Sequence, residues 1–310
     1  MNAGIRKLFQ QVTDELNFKI DERSGSLLGE YGGYHFTVFV AGNTYYVRAS
    51  IRKNGQLPDK SFQKEIRKYT KGIGAVSVKN NLTVIQVKGL TMKKVGANII
   101  EAIRNSSELF RANGYQNVCS QCGEAHPSMS FYGVSGVVQP LCSSCQEKIG
   151  TILQQKQAIH DETPENVLGG ILGALGGSLI GALAIVIIGE MGYVASVSGL
   201  IMGICTMKGY EKFGKKLSNK GVIISSIIMV IMTYLGYKIE MCMDIADALI
   251  GWSTTDVFLS FGDLLQAADA YAEFFGGLAL VYLFTVLGAV PTVKNIMAER
   301  DSAFESYEVE

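Results

Sequence analysis

Hydrophobic positions along this chain fall into three patterns, helical spacing, alternation and long unbroken runs, and each marks a different kind of structure. Ile5, Leu8, Phe9, Val12 and Leu16 recur at helical spacing and predict one amphipathic helix. Alternation then takes over, through Ser26 to Tyr31, Phe36, Val38 and Val40. It breaks at Ala41–Thr44 and resumes with Tyr45, Val47, Ala49 and Ile51, the signature of hairpin strands. Phe62, Ile66 and Tyr69 predict a second helix, capped by Asp59 or Ser61 and closed by Gly72. Val76 and Val78, then Val84 and Val87, flank Asn80-Asn81, a tight hairpin turn. Met92, Val95, Ile99, Ile103 and Phe110 form a last helix, with Gly114 as its stop. Residues 1–115 therefore read as an α+β domain.

After residue 160 the alternation disappears. From Val167 to Ile188 there is no charged residue, and about twenty apolar residues suffice to cross a bilayer. Gly169, Gly173, Gly177 and Gly181 repeat every fourth position, widened by Gly170 and Gly176, so one side of this helix is a smooth groove for a second backbone. Four spans are expected, at 167–189, 193–207, 222–237 and 274–293, the second of them short. Thr163-Pro164-Glu165 is the expected start of the first, with Thr163 as its cap, and Glu190-Met191-Gly192 the turn after it. Gly199 and Gly203 are the expected packing partners of the stripe. Between the third and fourth spans, Glu240, Asp244 and Asp247 extend the third helix up to Gly251. Ser253-Thr254-Thr255 then caps a further amphipathic helix with Asp256, Asp263 and Glu273 on its polar side. These external helices occupy 239–272.

Charge sets the expected orientation. Lys208, Lys212, Lys215, Lys216 and Lys220 follow the second span, no basic residue follows the first, and Lys238 stands alone after the third. Positive loops stay inside, which places both termini in the cytoplasm of a multi-pass inner or plasma membrane protein. The first residues contain no apolar core of a signal peptide, so no cleaved leader is expected. The formal net charge is zero, and nucleic acid is not an expected partner. Arg48, Arg52, Lys53, Lys60, Lys64, Arg67, Lys68 and Lys71 read as a solvated basic face near an anionic leaflet. No ionisable residue interrupts the middle of a span, which argues against a proton-coupled pump.

Six cysteines are present, four of them in the knuckles Cys119/Cys122 and Cys142/Cys145. Two Cys-x-x-Cys pairs at this separation match a structural four-thiolate zinc site, with Gly123 allowing the tight turn and 129–138 forming a short strand pair. The segment 116–148 resembles a zinc ribbon, which implies bound Zn2+ in a closed site that supports folding. His126 is a competing but superfluous ligand. His35, alone in its domain, reads as structural. The element order of residues 1–115 resembles the type III secretion chaperone-like fold, which implies a small protein-binding domain. The Gly-rich membrane half is similar to uncharacterised predicted bacterial membrane proteins, which implies no activity.

The expectation is thus a multi-domain membrane protein: the 1–115 domain, a ribbon at 116–148, a linker helix at 149–166, an all-α four-helix transmembrane unit at 167–293, and a cytoplasmic tail at 294–310. No catalytic constellation is visible, and the chain is not expected to be an enzyme. The leading function is a membrane-anchored interaction or regulatory protein with a cytoplasmic protein partner, anchored in the lipid bilayer and able to form a homo-oligomer. The alternative is an oligomeric channel or facilitator, fed by an external cation-attracting vestibule of Glu240, Asp244, Asp247, Asp256 and Asp263.

Overall fold

The computed structural model describes residues 3–190 and 196–309. Contacts divide the chain into one compact unit of residues 1–157 with 302–310, and a second of residues 158–301.

The first unit opens with α1 (Ala3–Leu16), β1 (Lys19–Asp21), β2 (Ser26–Tyr31), β3 (Tyr34–Ala41), β4 (Thr44–Ala49) and β5 (Ile51–Arg52). After α2 (Lys60–Tyr69) come β6 (Ile73–Lys79), β7 (Leu82–Val87), α3 (Met92–Ala112) and β8 (Gln116–Asn117). Six strands form an antiparallel sheet in the order β1-β2-β3-β4-β7-β6. Alternation explains its two faces. Phe36, Val38, Val47, Ala49 and Ile85 join Phe9, Val12, Ile99, Ile103 and Phe110 of the helices in one buried core. Phe39, Tyr46, Arg48, Val84 and Gln86, one position out of phase, stand on the opposite face.

Local signals act as the sequence demands. Asn80 and Asn81 have φ of 48° and 64°, the left-handed pair required by a two-residue turn whose twist matches its strands. The Asp59 carboxylate accepts from Phe62 N at 2.8 Å and caps α2. At the end of α3, Gly114 N donates to Arg111 O and Tyr115 N to Phe110 O, a Schellman closure made possible by Gly114 at φ 73°.

Beyond Val118 the chain forms a separate hairpin, β9 (Met129–Val134) and β10 (Val137–Cys142), then α4 (Ser143–Glu162). The expected linker helix therefore starts earlier, inside the cysteine module. The C-terminal residues do not trail as a free tail. β11 (Ser306–Glu308) pairs antiparallel with β9, Ser306 opposite Val134 and Glu308 opposite Tyr132, giving the order β10-β9-β11. Ser135 N donates to Glu305 O at 2.9 Å and Ser135 Oγ to Ala303 O at 2.7 Å, which fixes the entry of this strand.

The second unit contains α5 (Val167–Glu190), α6 (Ser196–Gly214), α7 (Asn219–Ala248), α8 (Thr254–Leu259), α9 (Phe261–Ala267) and α10 (Tyr271–Ser302). Three helices among the described residues are long and apolar enough to cross a membrane: Val167–Ile188, Asn219–Ala248 and Tyr271–Ser302. That is one fewer than the four expected. α6 falls short because Lys208, Glu211 and Lys212 occupy its last turns, leaving 196–207 uncharged, well below the roughly twenty residues of a full span. Tyr193 and the Met191-Gly192 turn lie outside the described residues. Asn166, not Thr163, begins α5: its side chain accepts from Gly169 N at 2.9 Å, while Thr163 Oγ1 donates back to Ile159 O. The predicted external helix is two, broken at Ser260, and Glu273 belongs to α10.

The glycine stripe packs on α6, but not on Gly199 and Gly203. A Cβ added at Gly173 would overlap Gly209 O, and one at Gly177 would overlap Cys205 O. Gly169 faces Phe213 and Gly181 faces Met202, so the two helices run antiparallel. Gly199 instead abuts Thr285 and Gly203 lies against Ala289 and Thr292, both on α10. α6 thus has two small-residue faces, and the sequence alone did not tell them apart.

Candidate metal centre

Two connections bring the four cysteines together. Cys119 and Cys122 lie on the loop between β8 and β9; Cys142 ends β10 and Cys145 sits in the first turn of α4. Their sulfurs all lie within 4.8 Å of one another, so this cluster can hold a metal ion. Cys119, Cys142 and Cys145 are buried, with Tyr132 and Leu141 around them, and Cys122 is exposed.

The first knuckle is a tight turn in which Gly123 N donates to Cys119 O and Cys119 N to Glu124 O, both at 2.9 Å. Gly123 takes φ 76°, a conformation that side chains rarely adopt. Ser120 N donates to Pro140 O at 3.0 Å, tying this knuckle to β10, and Cys142 N approaches Cys119 Sγ at 3.4 Å.

Electrostatics in the cluster are uneven. Burial pushes the Cys119 thiol up, yet the N–H groups of Cys122, Cys142 and Gln121, together with the Cys122 thiol, bring it below its ordinary value. Burial pushes Cys122 up, and Cys145 is pushed up to about 12 by burial and by the adjacent sulfurs of Cys142, Cys119 and Cys122. Sulfurs this close share protons as one system and cannot all ionise without a cation among them. A divalent metal inverts that balance and holds the sulfurs as thiolates.

His126 Nε2 lies 3.4 Å from Cys122 Sγ, and Cys122, Glu124 and His126 form a second close group at the exposed corner. His126 therefore neighbours the cluster without being needed for a four-sulfur set. His35 lies at the seam between the large sheet and this module. Its ring is hydrogen-bonded to Asn117 and edge-on to Phe131, with centroids 5.0 Å apart. Burial keeps it below its ordinary pKa, as suits a structural imidazole.

Sequence reasoning missed Arg52, read there as part of a solvated face. Its guanidinium occupies the space that a Cβ at Gly123 would need, so it packs on the first knuckle. The pairing of Ile51 with Asn117 brings it there, and no motif announces so short a ladder. Among the described residues, Glu240, Asp244, Asp247, Asp256 and Asp263 supply no group of three carboxylates within 4.8 Å of one another, so they form no compact metal-binding set. Asp256 is used in a capping box with Ser253.

No family model matches this chain, and no curated protein or solved structure matches it. What stands is a sheet-rich N-terminal region, a four-cysteine cluster able to bind metal, and a helical region with three apolar helices of membrane-spanning length.

Proposed function

We propose that this chain is a membrane-anchored interaction protein. Its soluble unit, stabilised by zinc on Cys119, Cys122, Cys142 and Cys145, binds a protein partner at the cytoplasmic face. The observation that carries this reading is β11. The chain leaves the soluble unit before α5 and rejoins the same unit after α10, where β11 completes the sheet of the cysteine hairpin. A folded unit closed by both ends of a helical insert lies on one side of the bilayer, so the insert crosses an even number of times.

Three long helices cannot satisfy that parity, and α6 is the natural fourth crossing. It runs antiparallel to α5. Its uncharged stretch, 196–207, covers only about 18 Å at about 1.5 Å per residue, so as a crossing it relies on Lys208 and Lys212 extending their charged ends to the interface. Lys208 and Lys212 near its end, followed by Lys215, Lys216 and Lys220, favour the cytoplasmic side for that loop and for both termini. Four sulfurs favour zinc among the common divalent metals, and a full thiolate set has no open position for catalysis, so the metal's role is folding.

Site-specific photo-crosslinking from the surface of the soluble unit, in intact membranes, tests the function. A discrete crosslinked partner, lost in Cys142→Ser while membrane insertion persists, supports it. Cation flux through the purified protein in liposomes, with no crosslinked partner, would replace it with the channel reading.

A further inference from the structure

The sheet face opposite the helices is covered in part by the cysteine hairpin. Beside the covered part lies a groove of about 650 Å³, lined by Phe39, Tyr46 and Arg48 on one wall and by Val137 and Gln139 on the other. Its size is that of a small-molecule site. Lys79, Ser77 and Gln86 also reach it, and no acidic residue does.

Arg48 is the unusual member. Its guanidinium stacks on Phe39, 3.5 Å from the ring centroid. Among the described residues it has no carboxylate and no hydrogen-bond acceptor as a partner, and burial alone brings its pKa down to about 10. A half-buried guanidinium with no carboxylate beside it leaves its donor fork open to an anion from solution. Arg6 and Arg104, on the open surface, do have carboxylate partners, Glu22 and Glu15. The ladder also favours this geometry: Arg48 is opposite Val84 and diagonal to Gln86, and Tyr46 is opposite Phe39.

We infer that this groove binds a small organic carboxylate, whose anionic group pairs with the Arg48 fork and whose apolar body lies between Tyr46 and Val137. A single planar guanidinium matches a carboxylate bidentately. The groove has neither a helix N-terminus nor a glycine loop to neutralise the higher charge of a phosphate.

The test uses the full-length protein in lipid nanodiscs, with benzoate and 4-phenylbutyrate as probes and their amides as neutral controls. The Arg48 Nε–H resonance is followed by NMR and assigned by its loss in Arg48→Gln. The expected result is a saturable shift with the carboxylates and none with the amides; followed from the Tyr46 backbone amide, which both proteins retain, binding is about ten- to a hundred-fold weaker in Arg48→Gln, as befits loss of a charge-assisted hydrogen bond. Gln86→Glu, which supplies a carboxylate from within, should abolish binding and raise thermal stability. No saturable shift with either carboxylate up to about 10 mM, well above the dissociation constant of a useful fragment-sized ligand, overturns the inference. So does an equal response to the amides, or unchanged binding by Gln86→Glu.

Discussion

The Tyr307 hydroxyl donates to Asp21 Oδ2 at 2.7 Å, across 286 positions of sequence. Asp21 ends β1 near the start of the chain, and Tyr307 is the middle residue of β11 at its end. The Arg23 guanidinium lies over the Tyr307 ring at 4.8 Å, and the ring fills the space above Gly133, where a Cβ would overlap it. One side chain therefore joins the first sheet, the cysteine hairpin and the C-terminus.

Tyr307→Phe should loosen this joint without unfolding the unit. Asp21 keeps its bonds from Ser24 and Arg23, so the carboxylate is not orphaned, and the cost is about 1 kcal/mol, that of one hydrogen bond. Hydrogen exchange should show faster opening of β11 with β3 and β4 unchanged. Equal protection of β11 in both proteins would mean that the bond does not hold the strand.

The same pair predicts a pH window. Tyr307 is pushed up to about 12 by burial and by its bond to Asp21, from the usual 10.0. Its contribution is complete below pH 10 and is lost as pH rises through about 12. Asp21 moves the other way: burial raises it, but the hydroxyls of Ser24 and Tyr307 bring it below the usual 3.8. Its contribution is present above pH 3.8 and fades as pH falls further. Tyrosinate absorbance of the native protein minus that of Tyr307→Phe should give a midpoint well above 10. A midpoint at 10 would remove the bond from consideration.

Cys142→Ser should lower bound metal well below one equivalent and expose the C-terminus. β9 is the central strand between β10, which ends at Cys142, and β11, so loss of the metal loosens both edges. A structural zinc contributes about 10 kcal/mol in small metal-folded modules, comparable to a whole domain's net stability. Metal analysis, with protease cleavage near Ser306, checks this. Unchanged metal content in the variant counts against the four-sulfur site.

Much of the first unit was legible because its signals are local. Period-two runs, Asn80-Asn81, Asp59 and Gly114 each act within a few residues, and the structure uses each as read. The cysteine cluster was legible for another reason: ligand spacing is a chemical constraint that survives any packing. What escaped was long-range. Three residues at 306–308 carry no strand signal strong enough to stand alone, and only the exposed edge of β9 makes them one. Thr163 lost to Asn166 because the cap must sit one residue before the first helical turn, and Pro164 cannot show where that turn begins. Gly199 and Gly203 looked like partners of the stripe because spacing reports that a face is small, never which neighbour meets it.

That last ambiguity gives a sharp packing test. Leu at Gly177 would drive carbons into Cys205 O, and Leu at Gly173 into Gly209 O; backbone oxygens inside a helix cannot swing aside. Each should cost about 1–3 kcal/mol, the usual penalty of overpacking. Gly176, on the same helix, has nothing within 4 Å of an added Cβ, so Gly176→Leu should leave thermal stability in detergent almost unchanged. Because Gly173 meets Gly209 while Gly199 meets Thr285 on another helix, Ala substitutions at Gly173 and Gly209 should couple, and those at Gly173 and Gly199 should add. Coupling between Gly173 and Gly199, with additivity between Gly173 and Gly209, would return the stripe to the partner that spacing alone suggested and reverse the assignment of the two faces of α6.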